Sequence, residues 1–172
     1  MKSITDFDKK CLRLAIKVAE DTFKKGNYPV GAVLAVDNKI IDQVGNQINQ
    51  NRSFTNHAEN LLIMNNGTRL YEAWKTKKTI SLYSTLEPCI QCLGASVTNH
   101  INKIFYIQKD PNGGACDLKH DNIGLWYKKT WPEIIYAPIS EKPLTMMTDF
   151  FKNEIKKGNL KCSQKMLKFY SK

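Results

Sequence analysis

The sequence predicts an α/β fold in which crossover helices pack against a mixed sheet, and three observations lead there. A helical period over Phe7, Cys11, Leu14, Ala15, Val18 and Ala19 opens the chain. Two apolar runs then meet at Asp37-Asn38, a pair suited to a tight hairpin turn. Beyond them, helical and extended patterns alternate as far as Gln108. The 172 residues fit a single domain over 1–172, with a core at about 6–118 and an extension at about 119–172. At that length about 70% of the unfolded surface can be buried, enough for a proper core.

Each element has its own signals. Thr5 is a candidate N-cap for the first helix, with Asp6 and Asp8 in its first turn and Gly26 as its stop. Tyr28 to Val36 and Lys39 to Val44 read as the two hairpin strands, and Gly31 marks either a bulge or a close backbone approach. Asn46 to Asn56 is polar and without period, hence a loop, and it leads straight into His57. His57 to Asn66 reads as a short helix that buries Leu61, Leu62 and Met64 and stops at Gly67. Tyr71 to Trp74 continues as a further helical piece, and Thr79 to Ser84 is the third strand. Pro88 suits the first turn of a helix over Cys89 to Asn99 that contributes Leu93, Ala95, Ser96 and Val97. Lys103 to Gln108 is the fourth strand, Asp110 to Gly114 a loop, and Leu144 to Ile155 an amphipathic helix before a lysine-rich end.

Chemistry concentrates in His57-Ala58-Glu59 and Pro88-Cys89-Ile90-Gln91-Cys92. A Cys-x-x-Cys pair at a helix start sets two thiols one turn apart, and a histidine from a second helix can complete a three-ligand metal site. Three protein ligands with a fourth position open is the arrangement in which zinc holds a reactive water. Glu59 lies where it can move protons without binding the metal, or it can merely favour its own helix N-terminus. A redox role for the cysteine pair has no use for His57 or Glu59. A closed structural site needs a fourth strong ligand, for which His100 and Cys116 are the candidates; otherwise His100 and His120 read as surface or capping histidines.

These two motifs, with Pro29-Val30-Gly31-Ala32-Val33, Asn46 and Glu87-Pro88-Cys89, resemble the cytidine deaminase superfamily, nearest to its tRNA adenosine deaminase and guanine deaminase branch. The resemblance spans roughly residues 10 to 117. It implies a three-layer α/β/α fold with a mixed five-stranded sheet, the fifth strand falling near Ile134 to Ala137. It further implies Zn2+ on His57, Cys89 and Cys92, Glu59 as the catalytic acid and base, Asn46 as a substrate contact, and a homodimer. Glu87 shapes the turn in this pattern. The activity implied is hydrolytic deamination of an amino-substituted nucleobase or nucleoside of guanine, adenine or cytosine type, with release of ammonia. A tRNA-specific adenosine deaminase making inosine is the alternative, and a noncatalytic module keeping zinc for stability is a third reading that leaves Glu59 without a use.

Composition bears on partner and place. A net charge of +10 suggests an acidic partner such as tRNA. Nearly all of that charge is lysine, with Arg13, Arg52 and Arg69 as the arginines, so a solvated lysine surface explains it equally. Tyr106-Ile107-Gln108-Lys109-Asp110 departs from the small-residue pattern of the tRNA enzymes, and Trp126, Tyr127 and Trp131 read as a flap over a small substrate or an anchor for the C-terminal segment. A small nucleobase or nucleoside is therefore the preferred substrate. No apolar run approaches the roughly 20 residues of a membrane span, and the start lacks the apolar stretch of a signal peptide. The expectation is a cytoplasmic protein whose five cysteines stay reduced, with Cys11, Cys116 and Cys162 as bystanders.

Overall fold

The structure, a computed structural model, describes residues 3–170. Helix α1 (Asp6–Lys24) starts at a complete capping box: the Thr5 hydroxyl accepts from the Asp8 backbone N–H, and the Asp8 carboxylate accepts from the Thr5 N–H at 2.8 Å. Asp8 is buried, and its other oxygen accepts from the Tyr83 hydroxyl at 2.7 Å, which ties the helix start to the sheet. Strands β1 (Gly31–Val36) and β2 (Lys39–Gly45) form the expected hairpin. Asp37 and Asn38 both take the left-handed conformation, with φ of 47° and 59°, as a two-residue turn of this hand requires.

Helices α2 (Ile48–Asn51), α3 (Ala58–Asn65) and α4 (Gly67–Lys75) follow, then β3 (Ile80–Leu86), α5 (Ile90–Thr98) and β4 (Lys103–Gln108). The chain closes with α6 (Leu125–Thr130), β5 (Glu133–Tyr136), α7 (Lys142–Lys156) and α8 (Leu160–Tyr170). The sheet has five strands in the order β2-β1-β3-β4-β5. β1 pairs antiparallel with β2 and β3, whereas β3, β4 and β5 run parallel, their crossovers supplied by α5 and α6. On one face, Cys11, Leu12, Ala15 and Ile16 of α1 pack on Val33, Ala35, Tyr83 and Phe105. The opposite face carries Ala32, Leu34, Leu82 and Ile104 under α3, α4 and α5, and Phe150, Phe151 and Tyr170 of α7 and α8 join that same cluster. This is the three-layer α/β/α arrangement with a mixed five-stranded sheet, and the fifth strand lies within a residue of its expected place.

Several local expectations change for identifiable reasons. Gly31 is not in a bulge, and the close backbone approach it permits is that of α1: a Cβ there would press on the carbonyl oxygen of Ala15 and reach 2.6 Å from the amide nitrogen of Ala19, so α1 rests directly on β1. The register shift of the hairpin falls opposite Leu34 and Ala35 instead, with Ile41 of β2 as the extra residue. Met64 is 73% exposed, and α3 buries Ala58, Leu62 and Ile63. Gly67 opens α4 rather than stopping α3; the break is made at buried Asn66, whose side-chain amide donates to the Leu62 carbonyl and to Asp42. A short turn of helix, α2, sits inside the stretch expected to be loop, and α8 is an element that the lysine-rich end did not announce.

Because Gly31 meets backbone and not a flexible side chain, Gly31→Ala is expected to cost about 1–3 kcal/mol, as overpacking does. A urea melt should show a lower midpoint with an unchanged slope, and an unchanged midpoint would show that α1 can back away from β1.

Candidate active site and metal centre

Two helix starts converge at the end of the sheet where β3 and β4 run out. His57 is the N-cap of α3 and Cys89 the N-cap of α5; each has extended backbone torsions, and neither side chain caps its own helix. Both turn to a common point instead. His57 Nδ1 lies 3.5 Å from Cys89 Sγ and 3.5 Å from Cys92 Sγ, and the two sulfurs are 3.6 Å apart. A tetrahedral zinc with ordinary bond lengths has edges of about 3.6 Å from nitrogen to sulfur and about 3.8 Å between sulfurs, so the triangle fits the ion. Among the described residues these three form the group able to hold a metal, and neither His100 nor Cys116 joins it. His100 ends α5 in a left-handed conformation and stacks on Trp74 at 4.8 Å, while His120 stacks on Trp131.

The electrostatics of the triangle are coupled. Cys89 is lowered to about 4, foremost by its contact with Cys92 and further by the hydrogen bond to His57, and the α5 N-terminus it occupies also favours a thiolate. Cys92 moves in the opposite direction, because one proton serves both sulfurs. His57 is raised by its hydrogen bond to Cys89. Three donors this closely placed compete for too few protons, an arrangement that a divalent cation relieves by accepting two thiolates and a neutral imidazole.

Glu59 is 3% exposed in the first turn of α3. The Ser84 hydroxyl, from β3, donates to its Oε1 at 2.7 Å, and Oε2 lies 3.5 Å from Cys92 Sγ. Burial raises its carboxyl above the ordinary range, and the Ser84 bond works against that rise. Asn46, at the end of the hairpin, is buried; its carbonyl oxygen accepts from the Ile48 N–H, which leaves the amide group to donate elsewhere. His57, Glu59, Cys89 and Asn46 all line one cavity of about 220 Å³.

Other residues of that cavity escaped sequence reasoning. Tyr28 precedes β1 instead of lying in it and packs on Phe150 with ring centroids 4.6 Å apart. Met147 of α7 and Met166 and Tyr170 of α8 line the cavity as well. Asp110 completes the wall and accepts from the Tyr170 hydroxyl at 2.9 Å. Trp126 and Trp131, for which a flap and an anchor were both open, do not line it: Trp126 lies edge-on to His100, and Trp131 packs against the core beside His120, as an anchor would. The covering role falls to the last two helices. Glu87 holds the adjoining loop, since its two oxygens accept from the backbone N–H groups of Asp110 and Cys116 at 3.1 and 3.0 Å. Gly114 is obligatory there, as a Cβ would come within 2.5 Å of that carboxylate.

A family model described as the cytidine and deoxycytidylate deaminase zinc-binding region matches residues 5–108. A tRNA-specific adenosine deaminase of Aquifex aeolicus is 33% identical over 144 residues, covering 82% of this chain and 91% of that protein. One from Bacillus subtilis is 29% identical over 150 residues, covering 87% and 92%. Among solved structures, a chain from work on tRNA:A34 deaminases superposes with a TM-score of 0.60 at 24% identity over 80% of this chain and 99% of the other. A guanine deaminase from Nitrosomonas europaea superposes with a TM-score of 0.61 at 11% identity, covering 87% and 86%. The structural likenesses speak for the fold, and the sequence matches for descent: the chain belongs to the cytidine and deoxycytidylate deaminase family.

Proposed function

We propose that the protein is a zinc-dependent hydrolytic deaminase acting on a small amino-substituted nucleobase or nucleoside. The observation that carries this reading is the meeting of a metal-sized His57-Cys89-Cys92 triangle with buried Glu59 in a cavity suited to a base. Zinc, when bound by those three residues, supplies a water acidified toward neutral pH and a positive charge beside the reacting carbon. Glu59 takes a proton from the water as its oxygen bonds to the amino-bearing carbon, and passes that proton to a ring nitrogen; it then carries the remaining proton of the new hydroxyl to the amine, so that the C–N bond breaks to ammonia and the C–O bond becomes the carbonyl. Its raised carboxyl suits both directions of transfer, and Ser84 holds one oxygen while the other does the work. Asn46 donates its amide to an acceptor on the base edge and orients the ring.

A second reading is favoured by the curated relatives, whose names make them tRNA-specific adenosine deaminases. On it the same cavity would take an adenine presented by tRNA. The whole chain acts as one deaminase domain with a core at about 6–118 and an extension at about 119–172; support comes from β5, α7 and α8, which add a strand and buried aromatics to the shared core. A cytoplasmic homodimer is part of the proposal. Its support is that the described cysteines are all unpaired and that exposed Ile90, Leu118 and Tyr127 line one apolar groove; no helix of the described residues is long and apolar enough to cross a membrane.

Two measurements test the chemistry. Purified protein is expected to carry about one zinc per chain, and Cys89→Ser or Cys92→Ser to lose both metal and thermal stability, because binding energy at such a site is folding energy. Full zinc occupancy in both variants, read by elemental analysis, would remove the ligand assignment. Glu59→Gln keeps shape and zinc but cannot accept the proton, so turnover should drop by roughly 100-fold to 10,000-fold. Near wild-type ammonia release from the best substrate among bases, nucleosides and tRNA would take Glu59 out of the reaction.

A further inference from the structure

The roof of the cavity is built from parts outside the stretch that the family model matches. Met147, Met166 and Tyr170 all lie beyond residues 5–108. Met166 and Tyr170 stand one turn apart on α8 and so face the same way. Tyr170 is only 5% exposed, its ring lies parallel to Phe151 at 5.8 Å, and its hydroxyl donates to Asp110 Oδ1 at 2.9 Å. Burial, with Asp110 beside it, raises that hydroxyl far above its ordinary range, so it remains a donor. The anchor is fixed in turn, because the Asp110 backbone N–H is held by Glu87, two residues from Cys89.

The wall chemistry points to what this roof admits. Glu59, Glu87 and Asp110 line the cavity, and among the described residues no lysine or arginine does, in a chain whose net charge is +10. A phosphate brought here would meet carboxylates at short range without a countercharge. At about 220 Å³ the space is also tight, since pockets for drug-sized ligands begin near 300 Å³, at roughly that volume or above.

We propose that Tyr170 is a specificity-determining residue: latched to Asp110, it closes the cavity together with Met166 so that the site takes an unphosphorylated base or nucleoside and turns away phosphate-bearing substrates, nucleotides and RNA alike. The proposal rests on the deaminase reading above and sharpens its substrate class.

The test measures ammonia release by the full-length zinc-loaded protein from adenine, guanine and cytosine, their nucleosides and 5′-monophosphates, and tRNA. The preferred small substrate should exceed the corresponding monophosphate in kcat/KM by about 100-fold or more, as expected where a charge finds no partner. Tyr170→Phe keeps the ring and loses the latch, so KM should rise roughly tenfold with kcat little changed. Tyr170→Ala should lower the preference for the small substrate over its monophosphate by roughly tenfold or more. Met166→Ala supplies a second opening of the roof should Tyr170→Ala not fold. A merely structural role would depress all substrates together and leave the ratio unmoved. Independently of turnover, the preferred base or nucleoside should slow hydrogen exchange of the α8 amides, and its monophosphate should not. Equal or better turnover of a monophosphate or of tRNA by the wild type overturns the proposal, as does an unchanged ratio in the opened variants. In that last case the deaminase reading stands. Ammonia from none of the substrates would instead remove the deaminase reading, and the role of Tyr170 with it.

Discussion

Two helices that begin at one point, each with a side chain able to bind metal where a cap would ordinarily sit, set the terms for the rest of the molecule. N-cap positions favour Ser, Thr, Asp or Asn, whose oxygens accept a first-turn N–H, and giving that up costs about 1 kcal/mol per helix. His57 and Cys89 occupy those positions in α3 and α5 and make no such bond, whereas Thr5, at the start of α1, makes the full box. The stabilisation forgone is local, and an ion shared at the junction would offset it across two elements. The same geometry places the positive ends of both helix dipoles next to two sulfurs and a buried carboxylate, where negative charge has to be tolerated.

Around this junction the sheet acts as a ruler. β3 lies between β1 and β4 and contributes Ser84, paired with Ala32 on one side and Tyr106 on the other. A register slip of one residue in β3 would turn Ser84 to the opposite face and leave Glu59 Oε1 without its donor. Gly31 serves the same end from farther away, since the direct seat of α1 on β1 keeps the hairpin, and with it Asn46, at the right height. Glu87 fixes the third border by gripping the loop from Asp110 to Cys116 by its backbone, so the residue before Pro88 shapes the cavity that it also lines.

How much of this could be read beforehand follows from the range of the forces involved. Motif spacing was enough to expect His57, Cys89, Cys92 and Glu59 at one point, where the structure brings them, because Cys-x-x-Cys and His-x-Glu are short and their geometry follows from one helical turn. The hairpin, the parallel strands and the place of β5 were legible from alternation and from the family pattern. What the sequence concealed was long-range. Met64 satisfies the helical apolar period as well as Ile63 does, and only the packing of α3 on the sheet decides which is buried. Trp126 and Trp131 drew attention as large aromatics near the end of the core, yet an edge-on contact with His100 and a stack on His120 occupy them elsewhere. Asp110 and Tyr170 stand 60 positions apart, and nothing local in either announces their bond.

The position of α8 at the far end of the chain has a consequence for the order of assembly. A chain made at about 5–20 residues per second completes the ligand trio at Cys92 and then takes roughly 4 to 16 s to reach Tyr170. During that interval β1 to β3, α3 and α5 can pair while the site is still uncovered. A cation could therefore reach His57, Cys89 and Cys92 before the helix that lines the finished cavity has been synthesised. In the finished protein His57 and Cys89 stay half-buried, so an ion would still find a path beside α8.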